Sequence, residues 1–66
     1  MRQVKVGDRI RLIAMPQDPD PLPAGSEGVV VAVMDDFMPQ IEVRWDSGRT
    51  LYLLPDVDSF VVIGRE

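Results

Sequence analysis

The stretch "QIEVRWDSGRTLYLL", residues 40–54, alternates and then turns back on itself. Ile41, Val43 and Trp45 share one parity, while Glu42, Arg44 and Asp46 take the other. Period two over this length sets one face against a core and the other in water, the pattern of a half-buried strand. "DSGR", residues 46–49, is the hairpin turn: the aspartate caps it and Gly48 is free to take positive φ. "TLYLL" pairs back as the next strand. Everything else in the chain is read against this hairpin.

Toward the N-terminus, "VKVGDRIRLIA", residues 4–14, alternates again. Val4, Val6, Ile10, Leu12 and Ala14 fall on one parity, Lys5, Arg9 and Arg11 on the other, with a turn at Gly7-Asp8. "GVVVAVM", residues 28–34, is a continuous apolar run rich in β-branched residues. Its periodicity assigns no inner face, which suits a bent strand that turns both faces to the core in succession. "DDFMPQ" is a loop. Toward the C-terminus, "PDVD" has room for a single tight turn and "SFVVIG" reads as a last strand. No stretch of ten residues carries a 3.6 period, so no α-helix is expected. The expected fold is all-β: a five-stranded SH3-like small barrel over residues 1–66, one domain. It has a long proline-rich loop between strands 1 and 2, a one-turn helix before strand 5, and closure that leaves no exposed edge.

That loop is "MPQDPDPLPAG", residues 15–25, followed by the G-x-x-G turn of Gly25 and Gly28. Proline fixes φ and removes backbone donors, so a long loop loses less entropy on ordering. Met15 and Leu22 are placed to pin its ends, and Asp18 and Asp20 project between the prolines. "PDPLP" carries no P-x-x-P with a flanking base, so a polyproline ligand is the weaker reading.

Sixty-six residues make one domain, near the lower size limit for an unaided core. Hydrophobic residues at 45% are too many for a disordered chain. There is no cysteine for a disulfide and no histidine for a zinc site of the usual kind, and no cofactor is implied. Seven basic and eleven acidic side chains give a net charge of −4, which disfavours sequence-independent phosphate binding. No apolar run is long enough to span a membrane and no signal peptide opens the chain, so the expectation is a cytoplasmic protein, monomer or homodimer.

Taken together, "VKVGDRIRLI", "AGSEGVVVAV", "IEVRWDSGR" and "LPDVDSF" resemble the successive blocks of an uncharacterised small bacterial domain family, also found in phages and mobile elements. The likeness spans about residues 4–63 and implies no activity and no site residue. "VGDRIRL" with "GSEGVVVAV" is also similar to the KOW motif of ribosomal and elongation proteins, and "VRWDSG" to hairpins of tudor-like barrels. These likenesses speak for the fold, since one small barrel hosts many partners.

Function is weighed class by class. The carboxylate pairs Asp18/Asp20 and Asp35/Asp36 could serve acid–base or metal chemistry, but a barrel this small offers little concave, desolvated space, and turn-forming acids are the plainer reading. No enzyme is expected. A nucleic-acid binder would use Arg9, Arg11, Arg44 and Arg49, with Tyr52 or Phe37 stacking; against it stand the acidic balance and the flanking Glu42 and Asp46. An aromatic cage fails for want of free rings, because Trp45 and Phe60 belong to the core. A small phage inhibitor or nucleic-acid mimic is a third class, for which −4 is a modest charge. The remaining expectation is a non-catalytic adaptor that binds a protein through Asp18, Asp20, Leu22 and Tyr52. The alternative for the same residues is a rigid acidic loop with no partner.

Overall fold

The computed structural model describes residues 4–35 and 37–65. It contains β1 (Asp8–Ala14), β2 (Glu27–Met34), β3 (Gln40–Trp45), β4 (Thr50–Leu53) and β5 (Ser59–Arg65), and no helix among the described residues. The strands form one sheet in the order β4-β3-β2-β1-β5, every neighbouring pair antiparallel. This is a meander of four strands, with the fifth returning to the open side of the first.

The β3–β4 hairpin follows its sequence pattern. Ile41, Val43 and Trp45 are buried on one face, and Leu53 joins them from β4. The turn is closed by the Gly48 N–H donating to the Trp45 carbonyl at 2.9 Å, with Gly48 at φ 98°. The Trp45 N–H donates to the Arg49 carbonyl at 2.8 Å, so the glycine takes the left-handed bulge position of a three-residue loop. Trp45 is 2% exposed, and its Nε1–H reaches the Leu51 carbonyl at 3.3 Å, which supplies the partner a buried indole needs.

Gly28 sits between Ile10 on β1 and Trp45 on β3. A Cβ there would lie 2.7 Å from the Arg44 carbonyl oxygen and 2.8 Å from the Trp45 Cα, both backbone atoms that cannot swing aside. The second glycine of G-x-x-G is therefore a packing residue inside β2. Gly25, at φ 92°, makes the turn itself.

Alternation misassigns two residues of the first segment. Val4 is buried but Val6 is exposed, because a turn resets the phase before β1. There the Asp8 carboxylate accepts the Lys5 N–H at 2.9 Å, and the Asp8 N–H donates back to the Lys5 carbonyl at 3.0 Å. Ala14 is exposed and Met15 buried, because the register with β5 shifts between Leu12 and Ala14. Another shift, between Val30 and Ala32 against β3, falls within β2, which was expected to bend.

Closure of the sheet is not found. β4 and β5 are its two edges and do not pair with each other, so the expected removal of edges does not occur among the described residues. Before β5, where a one-turn helix was expected, the chain makes a turn. The Val57 and Asp58 N–H groups both donate to the Leu54 carbonyl, at 2.9 and 2.7 Å, and the buried Asp58 carboxylate accepts the Leu54 N–H at 2.9 Å.

Three stability outcomes follow from this packing. Trp45→Ala is expected to lower unfolding free energy by about 3–5 kcal/mol in chemical denaturation, the range for a buried large aromatic. Gly28→Ala is expected to lose about 3 kcal/mol through overpacking. Gly64→Ala, with open space around its Cβ and no positive φ, should leave the denaturation midpoint nearly unchanged.

Candidate functional site

The proline-rich segment is an ordered inter-strand loop. Met15 and Leu22 enter the core, while Pro16, Pro19, Pro21 and Pro23 stay exposed. At its far end the Gly25 N–H donates to the Leu12 carbonyl and the Leu12 N–H to the Ser26 carbonyl, each at 2.8 Å. The Ser26 hydroxyl donates to the Pro23 carbonyl at 2.7 Å. Asp18 shapes the loop from within, its carboxylate accepting the Asp20 N–H at 2.9 Å. Asp20 faces Arg49 across 3.8 Å, which links this loop to the β3–β4 hairpin.

Three connections meet at an apolar cleft of about 300 Å³. The proline-rich loop supplies Gln17, the β2–β3 loop supplies Met38 and Pro39, and the turn before β5 supplies Leu54, Asp56 and Val57. Each wall has a local cause. Burial of Met15 sets the start of the first loop, Pro39 leads the second into β3, and Asp58 ties the third through its bonds to Leu54. Among the described residues, Asp56 is the one charged side chain in the lining, and no thiol, hydroxyl or imidazole lies there. Phe37, fully exposed, precedes Met38 in the same loop.

The four residues nominated for partner binding are not gathered at this cleft, and none lines it. Leu22 is a core anchor. Asp18 and Asp20 belong to the loop that contributes one wall. Tyr52 stands opposite Glu42 on β3, its hydroxyl donating to that carboxylate at 3.5 Å. Sequence reading passed over Met38, Pro39, Leu54 and Val57, although a signal was present. "FMP" and "LPDV" put apolar side chains into connections that are normally polar.

The arginines nominated for nucleic acid lie on the sheet and its hairpin, and three of them face carboxylates. Arg9 pairs with Asp46 and, at 3.6 Å, with Glu27. Arg11 reaches Glu27 at 3.1 Å, and Arg49 faces Asp20. Arg44 stands exposed on β3. Of the candidate carboxylate pair Asp35/Asp36, Asp36 lies outside the described residues. Among those described, no three acidic side chains are grouped to hold a metal ion. Among the described residues no helix is long and apolar enough to cross a membrane.

An all-β protein with a loop-built apolar recess is the class these features define. Residues 1–63 match the family described as a domain of unknown function, DUF4314, and the chain belongs to that family. No curated protein and no solved structure matches it.

Glu27, shared by two arginines at the surface, gives a direct test of the charge network. Glu27→Gln is expected to lower stability by less than about 1 kcal/mol, and the difference from wild type should shrink in high salt.

Proposed function

We propose that this protein is a non-catalytic SH3-like barrel, open between β4 and β5, that serves as an adaptor by holding a segment of a partner protein in the loop-built cleft. The strand order β4-β3-β2-β1-β5 and the register shifts that bend β1 and β2 support the barrel. The binding role rests on one observation: an apolar recess of about 300 Å³ left unfilled where three connections converge. That volume is at the lower bound for small-molecule pockets, and suits one or two side chains of a protein ligand. Among the described residues the lining offers one carboxylate and no nucleophile, which supports a binding role over a catalytic one. A cytoplasmic setting belongs to this reading, because the chain has no cysteine and needs no oxidising compartment.

The nucleic-acid reading draws on Arg9, Arg11, Arg44 and Arg49. Ion pairing of three of them to carboxylates leaves less positive charge for phosphates than the sequence suggests.

Backbone amide NMR titration separates the two. A peptide selected by display against the folded protein is expected to shift Gln17, Met38, Leu54 and Val57 and to leave Arg9, Arg11 and Arg44 in place. Shifts confined to the arginines, together with saturable DNA or RNA binding that weakens steeply with salt, would overturn the adaptor reading.

A further inference from the structure

Charge is segregated along this chain in a way that bears on the cleft. Residues 12–43 hold six acids and no lysine or arginine, and residues 50–64 hold Asp56 and Asp58 and again no base. All the residues that line the cleft come from these two base-free segments. The described basic side chains instead flank the turn before β1 or lie on β1, β3 and the β3–β4 hairpin: Lys5, Arg9, Arg11, Arg44 and Arg49. On the three loops that build the cleft, the charged residues are all carboxylates. Asp56 is in the lining itself, Asp18 directly follows Gln17, and Asp35 begins the connection that carries Met38. Among the described acids of these contributing loops, Asp20 faces an arginine, Arg49, at 3.8 Å.

We infer that the occupant of the cleft is a cationic, apolar segment of a partner protein: one or two large aliphatic or aromatic side chains seated on Met38, Leu54 and Val57, with a lysine or arginine beside them facing Asp56. This rests on the cleft being the binding surface, as proposed above, and adds the chemistry of what binds. The physical basis is charge complementarity around a desolvated centre. Apolar contact supplies affinity, while the sign of the rim steers encounter and excludes wrong partners. The same field disfavours nucleic acid and anionic lipid surfaces at this cleft, and disfavours a second copy of this acidic chain.

The test uses three sets of short blocked peptides that share two central leucines and carry arginine, glutamine or glutamate at the flanking position. Binding is followed by amide shifts at Gln17, Met38, Leu54 and Val57. Arginine peptides are expected to bind about tenfold tighter than glutamate peptides, with glutamine between, and Asp56→Asn should narrow that spread to about threefold. Asp56 is exposed, so this substitution leaves the core intact. Equal binding of all three sets, unchanged by Asp56→Asn, would overturn the cationic assignment and leave the cleft reading standing. Absence of any shift at the cleft amides with every peptide would remove both. Met38→Lys should abolish the shifts of the arginine set; its failure to do so would place the peptide elsewhere.

Discussion

The approach of β3 to Gly28 is the constraint on which the rest of this small structure depends. With no Cβ at residue 28, the backbone of Arg44 and Trp45 comes closer to β2 than any side chain permits. That approach accompanies the burial of the largest ring of the protein, whose N–H finds the Leu51 carbonyl on β4. A chain of 66 residues has few other large groups to bury, so its packing is concentrated here. The hairpin, the β2–β3 register and the connection that follows β4 take their positions from it.

Order then spreads outward into segments that would otherwise be mobile. A long loop between β1 and β2 would lose much entropy on ordering. The chain limits that loss by restricting φ with four exposed prolines and by sinking Met15 and Leu22 into the core. Asp8 and Asp58, the buried acids, each accept a backbone N–H at a turn, before β1 and before β5. Polar side chains are thus spent on holding connections, and the connections they hold leave an apolar recess between them.

Most of the strand pattern was legible in the residues. Ile41, Val43 and Trp45 alternate inward as their parity requires, and Gly48 occupies the turn position that "DSGR" marks. Misreadings fall where a local rule meets a register shift. Val6 and Ala14 keep the parity of Ile10 in the sequence, but a turn and a bulge rotate them outward. The site was less legible. Residues with chemical character, the loop aspartates and the arginines, drew attention, and the structure employs most of them in turns and surface ion pairs. The apolar residues of the cleft carry no chemical signature beyond being out of place in loops.

What the sequence by itself determined is therefore local: five strands, their turns, the inward parity of the hairpin, and the membership of Trp45 and Phe60 in the core. These follow from periodicity and from the φ preferences of glycine and proline, which act over a few residues. Which connections meet, which carboxylate faces which arginine, and whether the sheet closes were decided only in the tertiary structure. Each depends on residues far apart in the chain, brought together by how the strands stack, bend and shift in register. The cleft exists for that reason alone: Gln17, Met38 and Val57 share no local pattern and become neighbours only when three connections converge.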